Sequence, residues 1–271
     1  MSPALLTAPA RPPRNRAAIL LLFAALTVVS ACDNDTPPTP KSTAVAAQEQ
    51  DGPLTGVTIV IDPGHNGGNV DHPELINEQV DVANGKKACD TTGTTTDDGY
   101  AEHAFNFDVA TRLAESLREA GATVVTTRPD DSGVGPCITE RTAVANDLEA
   151  DVAISIHADG GPDDGRGFHI MEPVAISGHN EDVVAPSHEL ALDLADAIAA
   201  ETDMPASDYI GDEGINPRSD MGGLNLTTVP KVMVECGNMR NHDDAALLSD
   251  PDFRQSLADA LDVGIRQYLA D

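Results

Sequence analysis

Basic residues are scarce in this chain: 16 Lys and Arg stand against 45 Asp and Glu over 271 residues, a formal net charge of −29. A field of that sign repels phosphate, which argues against a nucleic-acid binder or a protein that docks its surface on an anionic membrane. The acidic residues are spread along the chain instead of forming one tail, so they read as a heavily solvated surface. Aromatic residues are also few, 3% with no Trp, and the 41% hydrophobic content available for a core is therefore mainly aliphatic. No run reaches the roughly 20 apolar residues of a comfortable transmembrane helix. There is no internal repeat, which excludes a repeat array, and HExxH is absent, which excludes a helical metzincin-like site.

The uncharged run Ala17–Val29 follows Arg11, Arg14 and Arg16 and precedes Val29-Ser30-Ala31-Cys32. That is the pattern of a bacterial lipoprotein signal over 1–31, with Cys32 lipidated as the mature N-terminus. An ordinary secretory signal cut near Ala31, with Cys32 incidental, is the alternative. Residues 32–53 carry Pro37, Pro38, Pro40 and Pro53 without apolar periodicity and read as a disordered tether. Export implies an oxidising compartment, where Cys89 and Cys137, both in Gly/Asp/Thr-rich loop sequence, are expected to pair. Such a bridge closes a loop of about 50 residues and contributes roughly 4 kcal/mol in the chain-entropy description. Cys236 follows an apolar strand and is expected to be a buried free thiol. The sharper alternative, a nucleophile, lacks a flanking His base.

Residues 54–271 alternate strand and helix patterns. Val57–Ile61 is a β-branched run ending in the turn signal Asp62-Pro63-Gly64. Over 102–120, Phe105, Val109, Leu113 and Leu117 form a stripe at helical spacing. Strands are predicted at 123–127, 152–156, 168–171 and 232–234, and further helices at 139–150, 187–201 and 250–269. Alternation of this kind predicts an α/β fold, a single three-layer αβα domain with a twisted, mostly parallel central sheet. In such sheets functional groups gather at the carboxyl ends of the strands.

His65 follows the first strand, His157 ends the strand at 152–156, Glu235 ends the strand at 232–234, and Glu102 opens the first long helix. Two His and one carboxylate with an open fourth position make a catalytic zinc site. Each residue also has an ordinary reading: a loop His is usually solvated, and a helix-opening Glu usually complements the helix dipole.

Five ordered blocks add specificity. They are Val60-Ile61-Asp62-Pro63-Gly64-His65, then Glu102 with Phe105-Asn106, then Arg141–Asn146. Ser155-Ile156-His157-Ala158-Asp159 and Pro230–Asn238 complete the series. Together they resemble the zinc-dependent N-acetylmuramoyl-L-alanine amidases (the amidase_3 type) from about Val57 to the C-terminus. The resemblance implies one Zn2+ per chain held by His65, Glu102 and His157, with Glu235 as the catalytic carboxylate. It implies peptidoglycan or muropeptides as substrate, cut between the lactyl group of N-acetylmuramic acid and L-alanine. Asn66, Asp159 and Cys236 depart from the residues usual in that family, but none is a proposed ligand.

Asp62 has two readings: a carboxylate orienting a ligand His, or a turn-forming residue before Pro63. The Gly- and Asn-rich stretch 209–226 is expected to line the cleft, with Arg218 and Asn225 as substrate contacts, since stem peptides carry carboxylates. The polar insertion 71–98 is either a flap over the cleft or a surface hairpin. A tethered hydrolase of this kind is expected to be a monomer, exported and lipid-anchored to the outer face of the cytoplasmic membrane. It is expected to touch the membrane only through its lipid, to bind no nucleic acid and to need no activator. Two other functions compete: a zinc carboxypeptidase or aminopeptidase of similar fold, and a non-catalytic peptidoglycan-binding lipoprotein.

Overall fold

The computed structural model describes residues 52–270. The signal over 1–31, Cys32 and all but the end of the tether lie outside the described residues.

In chain order the elements begin with β1 (Thr58–Pro63), the short α1 (Pro73–Ile76), β2 (Gln79–Asp81), β3 (Lys86–Ala88) and α2 (Glu102–Glu119). Then come β4 (Thr123–Thr126), α3 (Ile138–Asp147), β5 (Val152–Asp159), β6 (His169–Pro173), α4 (Val184–Glu201) and β7 (Ile215–Arg218). The chain continues through α5 (Gly222–Asn225), β8 (Lys231–Asn238), α6 (His242–Ser249) and α7 (Pro251–Ala270).

Among the described residues a six-stranded sheet runs in the order β4-β1-β5-β8-β6-β7. Strands β4, β1, β5 and β8 are mutually parallel, β6 turns antiparallel to β8, and β7 runs parallel to β6. The sheet is thus mixed but mostly parallel, as the alternation predicts.

Side chains alternate across a strand, so each strand feeds two cores. Ile59, Ile61, Ile154, Ile156, Val232, Val234 and Ile170 face one side, where they pack with the buried stripe of α2 and with apolar residues of α4 and α7. Val60 and Ala153 face the other side with Ala145 of α3, and Met171 and Met233 pack there on Leu224 of α5. Helices on both faces complete the three layers. By the same alternation Asp62, Ser155, His157 and Glu235 belong to the α3/α5 side, where the smaller clusters leave room beyond the strand ends.

Besides the four-residue α1 in the insertion, three elements escaped the sequence reading. The strand β7 has four residues, contains Pro217 and sits at the sheet edge, where a missing N–H costs no ladder bond. The turn-like helix α5 lies in the same Gly-rich stretch, and α6 is an eight-residue helix begun by Asn241, whose side chain accepts from the N–H groups of Asp243 and Asp244. The insertion is a hairpin: β2 and β3 pair antiparallel as a separate two-stranded sheet. Cys89 and Cys137 are bridged, and Cys236 is a buried free thiol.

Candidate metal centre

The first side chain of the site depends on a tight turn. After β1 the chain turns through Gly64, whose backbone passes so close to the His157 ring that a Cβ there would overlap it. His65 then adopts a left-handed φ of 58°, a conformation uncommon for a residue with a side chain. Strain of this kind persists where surrounding contacts hold it. Here one guanidinium supplies several of them: Arg141 donates to the carbonyls of Pro63 and His65 on either side of Gly64, at 2.9 and 3.0 Å.

His65 Nε2 lies 3.1 Å from Glu102 Oε1, and His157 Nδ1 lies 2.9 Å from the same oxygen. The two rings meet edge to face with centroids 4.9 Å apart. Among the described residues, His65, Glu102 and His157 form the one group of His, Cys, Asp or Glu side chains whose donor atoms converge closely enough to hold a metal ion, all within 4.8 Å of one another. The donor set, two imidazole nitrogens and one carboxylate oxygen with a side open to the cleft, suits zinc in a hydrolytic site.

Burial by itself disfavours charge on Glu102, His65 and Glu235, and neighbouring charges act with it or against it. Burial raises the Glu102 carboxyl, but His65 and His157 overcome it and hold the group well below the usual carboxylate range. Burial likewise works against a proton on His65, yet Glu102 and Asp90 push its pKa up to about 10. Glu235 goes the other way: burial, then the charges of Glu102 and Asp159, raise it well above an ordinary glutamate. Its Oε2 is buried and has no hydrogen-bond partner among the described residues.

Glu235 sits opposite His157 in the β5–β8 ladder and opposite His169 in the β8–β6 ladder. It lines, with the three convergent residues, a cavity of about 260 Å³. A neighbouring cavity of about 200 Å³ extends from the His65–His157 side toward Lys87, Ile138 and Gly222. The insertion therefore does contribute to the cleft: from the last residue of its hairpin onward, Ala88, Asp90, Thr91, Thr92 and Gly93 supply part of the two walls.

Three expectations need correction. Asp62 orients no histidine. Its carboxylate accepts from Thr127 Oγ1 at 2.6 Å, Ser155 Oγ at 2.7 Å and Arg141 Nη1 at 3.0 Å, with Lys231 Nζ at 3.7 Å, a buried charge network beneath the site. Arg218 pairs with the exposed Asp220, to which Nε and Nη2 donate at 2.7 and 2.8 Å, and it lines neither cavity, while its charge still acts on Glu235. Asn225 is fully buried, and its amide donates to Val82 O and Asn84 Oδ1, bracing the hairpin turn instead of facing substrate. The residues that do approach His65 from behind are Asp90 and Thr91, which the sequence reading passed over as part of a polar insertion. Their signal was positional: they directly follow the bridged Cys89. Asp159, unusual after the second His, is held by Tyr209, whose hydroxyl donates to Oδ2 at 2.9 Å.

Comparison with known proteins shows the family. Residues 59–267 match the sequence profile of the amidase_3 family, described as N-acetylmuramoyl-L-alanine amidase. The chain is 39% identical over 218 residues to the N-acetylmuramoyl-L-alanine amidase Rv3717 of Mycobacterium tuberculosis, covering 80% of this chain and 88% of that one. The crystal structure of the N-acetylmuramyl-L-alanine amidase Ami1 from Mycobacterium smegmatis superposes with a TM-score of 0.75 at 43% identity, over 80% of this chain and 98% of that one. The apo form of Ami1 from Mycobacterium abscessus gives the same TM-score at 39% identity, over 80% and 100%. With its strand-end histidines, helix-opening Glu102 and buried Glu235 in one cleft, and a profile match spanning nearly the whole described domain, the chain belongs to the N-acetylmuramoyl-L-alanine amidase family.

Proposed function

We propose that this protein hydrolyses the amide between the lactyl group of N-acetylmuramic acid and L-alanine of the peptidoglycan stem, with one Zn2+ held by His65, Glu102 and His157. The observation that carries the reading is Glu235: a buried carboxyl with an unpartnered oxygen, in the same cavity as a convergent His/Glu/His set. A zinc ion bound there supplies Lewis acidity, lowering the pKa of water and polarising the scissile carbonyl.

The chain's own residues do the rest. Glu235 takes the proton of the attacking water and hands it to the leaving amine nitrogen, so that the amine departs neutral. Its burial makes it a stronger proton acceptor than a solvated glutamate, which suits general-base work. Asp159, fixed by Tyr209, keeps negative charge beside it and favours the protonated form that serves the second step. Met221 and Met233 supply an apolar part of the cavity wall.

The proposal extends to location. The 1–31 pattern and Cys32 support export and lipidation, with residues 32–53 as the tether of a monomeric enzyme at the outer face of the cytoplasmic membrane. Two acyl chains suffice for stable anchoring even of a strongly acidic protein.

The test is mass spectrometry of purified muropeptides incubated with the zinc-loaded protein and with Glu235→Gln. Intact stem peptide released from the sugar by the wild type and not by the variant is the expected result. Cleavage inside the stem would make the protein a peptidase. Bound zinc without any cleavage would make it a binding protein.

A further inference from the structure

The stretch between Cys89 and α2 touches two of the three candidate ligands at once, and the proposed reaction makes no use of it. Around His65 Nδ1, the ring nitrogen turned away from Glu102, stand Thr91 O at 3.1 Å, Thr91 Oγ1 at 3.2 Å and Asp90 Oδ1 at 3.3 Å. Two residues on, Gly93 crosses directly over both ligands. Its φ is +74°, and a Cβ there would stand 2.7 Å from Glu102 Oε2 and 2.8 Å from His65 Cδ2. Thr94 N then donates to Glu102 Oε2 at 2.8 Å, and Glu102 N donates back to Thr94 O at 3.0 Å. The far atom of each ligand is thereby occupied, which leaves His65 Nε2 and Glu102 Oε1 facing each other.

The stretch is itself pinned. The Cys89–Cys137 bridge ties its start to the N-terminus of α3, where Ile138 N also donates to Cys89 O at 2.8 Å. One turn into α3, the buried Arg141 donates through Nη2 to both Asp90 Oδ2 and His65 O at 3.0 Å. Asn69 Nδ2 donates to Thr91 O at 2.8 Å from the other side. An imidazole that binds a metal through one nitrogen needs its other N–H held by a carboxylate or carbonyl to fix the ring. Losing such a partner typically costs about 10–100-fold in metal affinity.

We propose that Asp90–Thr94, pinned by the Cys89–Cys137 bridge and Arg141, is a positioning strap that holds His65 and Glu102 in register for zinc, making the bridge a working part of the metal centre. The inference rests on the zinc amidase reading and deepens it. Asp90, Thr91, Gly93, Thr94 and Arg141 are positioning residues, acting through the ligands and not on substrate.

The experiment measures zinc affinity of the full-length protein by competition with a chromophoric chelator. The variants are Asp90→Asn, Gly93→Ala and the double Cys89→Ser/Cys137→Ser, each checked by circular dichroism. Leu257→Ala serves as a control that loosens the core in α7, away from the strap. Each strap variant is expected to weaken zinc binding by roughly 10–100-fold while remaining folded, and Asp90→Asn to alter the nitrogen chemical shifts of the His65 ring. Leu257→Ala is expected to lower the melting temperature without changing the zinc Kd. Gly93→Ala and the cysteine pair report independently should Asp90→Asn fail to fold. Unchanged affinity in these two, or an equal loss in Leu257→Ala, would overturn the strap. A wild type that binds zinc but releases no stem peptide would overturn the amidase reading alone, and the variants' loss of affinity would still support the strap. A wild type that binds no zinc would overturn both.

Discussion

At Gly64 a single methyl group separates a working centre from a displaced one. Its added Cβ would overlap His157, so Gly64→Ala must push that ring or the His65 turn aside. Because a displacement of about 1 Å near reacting groups can cost about 100-fold, kcat/KM for stem release is expected to fall by at least about that factor. Muropeptide turnover on the refolding-competent variant checks it. Glu235→Gln keeps the shape of the side chain and removes the proton acceptor. Its expected cost is about 100- to 10,000-fold in kcat, with zinc affinity little changed, measured by turnover and chelator competition in parallel. Removing that carboxyl also relieves a buried group pressed by Glu102 and Asp159, so the metal-free variant should melt higher than the metal-free wild type at neutral pH.

Between elements, the buried Asp62 joins β1 to the residue after β4 and to β5, α3 and β8 through Thr127, Ser155, Arg141 and Lys231. Burial alone raises its carboxyl, but Arg141 and Lys231, with the two hydroxyls, hold it far below the usual range. A depressed folded-state pKa contributes stability that is present above the unfolded value and lost as pH falls. Urea midpoints should therefore decline as pH drops below about 4. Asp62→Asn leaves Arg141 and Lys231 buried without their shared carboxylate and is expected to cost about 3–5 kcal/mol at pH 7. The variant's midpoint should also depend less on pH in the acid range. An Asp62→Asn protein as stable as wild type would show that Asp90 alone suffices to neutralise Arg141.

Over the described residues, the core and the candidate metal centre are separable. The packing of α2, α4 and α7 on the sheet does not pass through the His/Glu/His group. Chelation is accordingly expected to abolish stem release while the far-UV spectrum persists, with activity restored by zinc. Zinc at about 100 times its Kd should add about 2.7 kcal/mol of stability, visible as a higher melting temperature. The net charge of −29 acts on the entire domain as self-repulsion. Raising salt from a low level to about 1 M, where the Debye length is about 3 Å, should raise the melting temperature of the metal-free protein. A melting temperature indifferent to salt would mean that the acidic side chains are too far apart to repel one another appreciably.

The sequence by itself determined the layers and which side chains would converge as candidate ligands. Periodicity exposed the α2 stripe because a helix facing a sheet must repeat its apolar residues, and the apolar runs of β1, β5 and β8 marked buried parallel strands. His65, Glu102, His157 and Glu235 were legible because strand ends and a helix start are where such sheets carry chemistry, and because their motifs are local in the chain. The Cys89–Cys137 pairing followed from loop composition around two cysteines. Only the tertiary structure decided what stands behind the ligands. Asp62 faces Arg141 across 79 residues and Asn225 reaches Val82 across 143, contacts that no local pattern encodes. Arg218 finds Asp220 only two residues away, but a charged pair so close in sequence still has to be placed before one knows whether it faces substrate or itself. Asp90 and Thr91 lie in a polar stretch with no periodicity. Their place against His65 comes from a bridge and a guanidinium contributed by α3, so it exists only once those elements have packed.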